Sequence, residues 1–220
     1  RIVTERSVVG MPETSIGFTP DVGGSLLLAR APGHAGEYMA ATAYRMGPAD
    51  AIYAGFADTM IAGEDRTALV AALCEGRAAD DAVVQFATYS GLSDLAARQT
   101  RIDRAFGAAT VQNAVQRLDG LAEPWEQDAL KKIAAHSPTA LAAAHVSVRQ
   151  ARKLETVEQA LDHEYRYAYR AVDLHDFREG VRALIVDKDG KPRWRPARLA
   201  EVPQHDIEAL FAPLGDNELG

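Results

Sequence analysis

From about residue 63 the chain is a succession of short amphipathic segments, each opened by a capping residue or a proline. That leaves room for little but a packed set of helices. In "TVQNAVQRLDG" the residues Val111, Ala114, Val115 and Leu118 recur at i, i+3, i+4 and i+7, with Thr110 placed to cap the start and Gly120 the end. "EPWEQDALKKIAAH" opens at Pro124 and sets Trp125, Ala129 and Ile133 on one side. "SPTALAAAHVSVRQARK" has Ser137 as N-cap and Pro138 at the first helical position. "TVEQALDHEYRYAYRAVDLH" carries a capping box from Thr156 to Gln159. Its expected apolar face is Val157, Leu161, Tyr165, Ala168 and Val172, with the Tyr165/Tyr169 pair in the helix core. "VPQHDIEALFAPLG" reads as a last short helix.

The first 62 residues are mixed. A strand candidate at 2–9 leads into a Pro/Gly loop, and "GGSLLLARA" then begins a helix. "GHAGEYMAATAYRM" is a second helix, with Tyr38, Ala41 and Met46 on one face. "GPADAIYAG" is a third, with Pro48 in its first turn and Gly55 past its end, and "ADTMIAG" is a short strand. The expected class is therefore α/β (α+β), with residues 1–62 as a mixed unit and 63–220 as a helical one. "ALIVDKDGKPRWRP" suits either a hairpin through Asp189-Gly190 or a helix that stops at the turn, and Asp-Lys-Asp-Gly lacks the ligand series of a calcium loop.

Several function classes are excluded early. No apolar run approaches the roughly 20 residues of a membrane span. The net charge of -7 argues against a general nucleic-acid binder. Cys74 is the only cysteine, so no internal disulfide or Cys-rich zinc site can form, and a cytoplasmic or organelle-matrix location is expected. There is no G-x-S-x-G, Walker A, G-x-G-x-x-G or H-E-x-x-H, and His163-Glu164 has no second His four residues on. No metal site is expected.

The loop "GMPETSIGFTPDVGGS" is the chemically suggestive stretch. Glu13 and Asp21 stand among Met11, Ile16, Phe18 and Val22, in a segment held by Pro12 and Pro20. Converging there, they would be partly desolvated, which raises a carboxyl pKa towards the range of a general acid or base. Gly23-Gly24 would let a ligand approach a helix start. The competing reading makes Glu13 and Asp21 turn or capping residues.

"MPETSIGFTPDVGGSLLLAR" resembles the active-site segment of the crotonase (enoyl-CoA hydratase/isomerase) superfamily, and within it the hydrolase branch acting on short 3-hydroxyacyl-CoA esters. A second block agrees in order: "HSPTAL", then E-Y-R at Glu164, H-D-F-R-E-G-V-R-A from His175 and D-K-D-G-K-P-R-W-R-P from Asp187. Between roughly 64 and 122 only helical character is shared. The resemblance implies the end of a ββα spiral core followed by helices. It also implies a preceding part that supplies the oxyanion donors and much of the CoA surface, which makes this sequence an N-terminally truncated chain, inactive alone. By resemblance Glu13 is the catalytic carboxylate and Asp21 the partner of the substrate hydroxyl, with Gly23 and Gly24 on the pocket floor. The implied reaction is hydrolysis of 3-hydroxyisobutyryl-CoA, with CoA as part of the substrate and no separate cofactor. The alternatives are an enoyl-CoA or carnitinyl-CoA hydratase, or a non-catalytic helical fragment. A trimer or hexamer fits the superfamily.

The stretch from Arg178 to Arg198 holds Arg178, Arg182, Lys188, Lys191, Arg193, Arg195 and Arg198 against Glu179, Asp187 and Asp189, with Trp194 among them. It could dock CoA phosphates or be a solvated basic face; Lys188 is the substrate-binding candidate by resemblance. His175 and Phe177 are expected to be packing residues.

Overall fold

The computed structural model describes residues 1–119 and 123–219. Gly120, the expected cap of its helix, lies outside them. Twelve α-helices are described, in the order α1 Gly24–Ala29, α2 Ala35–Thr42, α3 Pro48–Tyr53, α4 Arg66–Cys74, α5 Ala79–Phe86, α6 Asp94–Phe106, α7 Val111–Leu118, α8 Pro124–Ala135, α9 Pro138–Ala151, α10 Val157–Ala171, α11 His175–Val181 and α12 Gln204–Ala209. Three short strands, β1 Ile2–Val3, β2 Thr59–Ile61 and β3 Ala87–Thr88, form one small sheet. β1 runs parallel to β2, with Ile2 opposite Thr59, and β3 runs antiparallel, with Met60 opposite Thr88.

The capping signals act as their chemistry requires. Thr110 Oγ1 accepts from the Asn113 N–H, Ser137 Oγ from Ala140, and Thr156 Oγ1 from Gln159, whose side chain reaches back to the Thr156 N–H. Pro48, Pro124 and Pro138 open their helices. The expected strand over 2–9 is only two residues long, because a turn in which Ser7 N–H donates to the Thr4 carbonyl interrupts it. Val9 instead makes an isolated antiparallel bridge to Met46. That bridge puts Met46 beyond α2 rather than on its face, after Ala43 turns the chain through φ 47°. The 182–191 segment forms no hairpin: the helix passes into a π-turn, Arg182–Val186, and the chain leaves it through positive φ at Lys188 and Gly190. β3 was not expected from the sequence.

The face of α10 also differs from expectation. Its buried residues are Ala160, His163, Glu164, Tyr167 and Ala171, while Val157 and Val172 are exposed. The hydrophobic face is therefore turned by one to two positions, and two polar side chains go inward. Tyr167, not the Tyr165/Tyr169 pair, is the core tyrosine; Tyr169 is 44% exposed.

One hydrophobic cluster runs from Val3 to Phe211. At its centre α9 lies against α1 and α2, and α2 also packs on α6 and α8. Tyr38 meets Phe106 and Trp125 edge-on, and Phe18 meets Tyr167 in the same way. A smaller cluster of Ile61, Leu69, Ala72 and Ala82 joins β2 to α4 and α5.

Candidate functional site

Glu13 begins a single 3-10 turn, Glu13–Ile16, which ends at Gly17 with φ 78°. A left-handed residue with no Cβ is needed there, because a Cβ on Gly17 would strike the Asp176 carbonyl. The turn is wedged between α2, α9 and α11. Gly180 lets α11 approach until its Cα lies against the Ile16 carbonyl. The buried Thr14 fixes the other side: its hydroxyl donates to the Ala40 carbonyl at 2.9 Å, and His136 Nδ1 lies 3.2 Å from the Thr14 hydroxyl oxygen.

Ser137 and Asp176 complete the support. Ser137 N–H donates to the Thr14 carbonyl, and its hydroxyl donates to Asp176 Oδ2 at 2.6 Å. Asp176 Oδ1 accepts from the Arg195 N–H at 2.7 Å. Phe177 stacks at a tilt on Phe18, 4.8 Å between centroids, so it packs as expected. His175 is exposed, with Nε2 bound to the Arg193 carbonyl at 2.9 Å. The S-P-T and H-D-F blocks are thus the scaffold under the Glu13 turn.

Asp21 follows on the far side of Pro20. Its carbonyl accepts from the Gly24 N–H at 2.7 Å, and Gly23 takes φ 84° as α1 begins. The Asp21 side chain makes no cap hydrogen bond to α1. That capping position is filled from α10. Glu164 Oε2 accepts from the Gly23 N–H at 2.7 Å; Oε1 accepts from the Ser25 N–H at 2.9 Å and from the Ser25 hydroxyl.

The electrostatics follow from this arrangement. Burial pushes the Glu13 carboxyl above its ordinary pKa, and the charges of Asp21 and Glu164 push it further. Asp21 is raised by burial alone. Glu164 is raised by burial and by Asp21, against the opposing pull of its three donors. Glu13 Oε2 is buried with no hydrogen-bond partner among the described residues. An unpartnered carboxylate oxygen of raised proton affinity is equipped to take a proton or to attack an electrophile. Pro12, the residue before Glu13, lines a cavity of about 390 Å³ with Val8, Gly10, Ala43 and Arg45.

Glu164 lies on the Gly23–Ser25 turn after Asp21, and the charges of Asp21 and Glu164 reach Glu13. Residue reading alone missed Glu164; its one signal was the E-Y-R block. Lys188 is exposed on the turn after Val186, with no hydrogen bond or ion pair among the described residues. Much of the surrounding charge is paired internally: Arg182 binds Glu179, Asp187 and Asp189, Arg178 binds Asp173, and Arg198 binds Glu201. Trp194 is fixed by its indole N–H on the Ala135 carbonyl. Among the described residues no group of three His, Cys, Asp or Glu is placed to hold a metal ion, and no helix is long and apolar enough to cross a membrane.

Comparison with known proteins bears on the same segments. Mouse "3-hydroxyisobutyryl-CoA hydrolase, mitochondrial" is 33% identical over all of this chain, which spans 59% of that protein's length. A crystal structure described as a carnitinyl-CoA dehydratase from Mycobacterium thermoresistibile superposes with a TM-score of 0.93 at 40% identity, covering the whole of this chain and 63% of that one. An enoyl-CoA hydratase structure from Rhodobacter sphaeroides gives 0.92 at 41%, covering 100% and 64%. Those likenesses run through both the Glu13 loop and its C-terminal scaffold, and with the enoyl-CoA hydratase/isomerase profile matching residues 1–211 they show that the chain belongs to the enoyl-CoA hydratase/isomerase family.

Proposed function

We propose that this chain carries the carboxylate half of an active site that hydrolyses a short 3-hydroxyacyl-CoA thioester, 3-hydroxyisobutyryl-CoA being the favoured substrate. The observation that carries the reading is the buried, unpartnered Oε2 of Glu13 with Asp21 beside it. Glu13 accepts a proton from water as the water oxygen bonds to the thioester carbonyl carbon, or Glu13 makes that attack itself to give an anhydride that water then hydrolyses, freeing the acid and Glu13. Collapse of the tetrahedral intermediate breaks the C–S bond, and the CoA thiolate takes up a proton. Both routes need the same free carboxylate oxygen. Asp21 accepts a hydrogen bond from the substrate 3-hydroxyl and so orients the acyl group.

A second reading has specific support. The two solved structures, at 40% and 41% identity, are described as a dehydratase and a hydratase, and the same acid pair can move a proton during addition of water to an enoyl-CoA. The test compares substrates on the complete protein that contains this chain. Hydrolysis releases a free thiol from 3-hydroxyisobutyryl-CoA, and isobutyryl-CoA reacts far more slowly. Asp21→Ala removes most of that preference, because the buried acceptor that penalises a substrate without the hydroxyl is gone. No released thiol, with loss of enoyl absorbance from crotonyl-CoA, would instead establish the hydratase.

A further inference from the structure

We infer that Glu164 is a positioning residue of this site: from α10 it clamps the Gly23–Ser25 turn that follows Asp21, and its buried charge acts on Glu13. The inference rests on the reading of Glu13 as the acid-base group, though not on which CoA-ester reaction is catalysed.

The geometry is specific. Glu164 is 3% exposed, yet both of its oxygens are used, by two backbone N–H groups and one hydroxyl within three residues of chain. Two oxygens that both accept are what an ionised carboxylate offers, since a protonated one gives up an acceptor position. A side chain 139 residues away thus fixes where Asp21 leaves its loop and where α1 starts. A neutral side chain could cap the turn, but only an anion also acts on Glu13.

No cation is ion-paired with Glu13, Asp21 or Glu164 among the described residues. Arg30 at the end of α1 donates to the Glu155 carbonyl, and Arg45 is exposed at the cavity wall. Arg152 on the end of α9 pairs with Glu37 of α2, Arg166 of α10 with Glu218, and Arg182 beyond α11 with Glu179. His136 before α9 is held on the Ala41 carbonyl, and burial keeps it neutral. His163 of α10 stacks on Phe211 and is likewise kept neutral by burial. Asp176 of α11, tied to Ser137, adds to the anions. Burial first, then the charges of Asp21 and Glu164, raise the proton affinity of Glu13, against the pull of its own backbone N–H.

The test is the pH profile of kcat/KM for Glu164→Gln in the complete protein, followed on whichever CoA ester it turns over. Removing the charge favours ionised Glu13, so the acid limb moves to lower pH by roughly 0.5 to 1 unit. Glu164→Asp keeps the charge and returns the limb to its wild-type position, even where the shorter side chain slows the rate. Ile133→Val, a core change in α8, lowers the melting temperature without moving the limb. A limb that stays in place in Glu164→Gln would overturn the inference. Should that variant not fold, carboxyl-labelled glutamate is titrated by NMR in Glu13→Gln. Coupling is reciprocal, so the Glu164 inflection moves to lower pH there, and an unmoved inflection would overturn the inference equally. Loss of hydrolysis in favour of hydration would overturn the substrate reading alone, because the limb can be followed on either reaction.

Discussion

At the scale of single residues the chain sets a charged side chain where burial works against it. Glu13 keeps one oxygen buried and unpartnered, an arrangement that a purely structural glutamate avoids. In the complete protein, Glu13→Gln preserves the shape and removes the proton acceptor. A loss in kcat of about 10²-fold or more is expected, with CoA-ester binding retained. Turnover near wild type in a stopped assay would remove Glu13 from the chemistry. Glu13 and Asp21 stand out as candidates because two acids, each directly after a proline and among apolar residues, are hard to explain as a solvated face. Glu164 was not legible from local pattern: its partners lie 139 and 141 positions away, and a lone acid on a helix reads as surface. Only the fold turns it inward.

Among elements, close backbone approach decides the geometry of the site. α11 can reach the Glu13 turn only because Gly180 has no Cβ to meet the Ile16 carbonyl. Gly180→Ala must push the two apart, at a cost of about 1–3 kcal/mol in unfolding free energy as overpacking goes. The displacement falls on the turn that carries Glu13, so kcat should drop at temperatures where the variant is still folded. Denaturant melts and initial rates on one preparation check both; a variant with wild-type rate and stability would mean that α11 does not brace the turn. The helices themselves were readable, since Thr110, Ser137 and Thr156 cap through local chemistry. The face of α10 was not. Periodicity sorts apolar from polar residues, and here His163 and Glu164 take inward positions while Val157 and Val172 stay out. A core that hosts polar groups defeats that rule. β3 escaped for a different reason: two residues carry no alternation to detect.

For the molecule as a whole, buried titratable groups pull stability in opposite directions as pH falls. His145 and His163 are 4% and 7% exposed, and burial pushes each down to about 4 from an ordinary value near 6.5. Above pH 6.5 both states of the chain carry neutral rings, and no stability depends on them. Below it the unfolded chain binds protons that the folded one refuses, so the fold loses stability until pH reaches about 4, on the order of 3 kcal/mol per ring. Glu13, Asp21, Glu164 and Asp176 act in the reverse sense. Their folded pKa values are raised, chiefly by burial, so their charged forms weaken the fold at neutral pH, and protonation relieves it. The two rings are displaced far, to about 4, and so are expected to set the sign between pH 7 and 5. Stability measured by denaturant titration should therefore fall on going from pH 7 to 5, by about 1.4 kcal/mol per pH unit for each ring at its steepest, and flatten below as the carboxyls protonate. His163→Phe keeps the stack on Phe211 and removes one depressed imidazole, so its curve should be shallower over that interval. Stability that rises steadily from pH 7 to 5 in the unmodified protein would show that the carboxylate cluster, not the buried rings, governs the acid response of the fold.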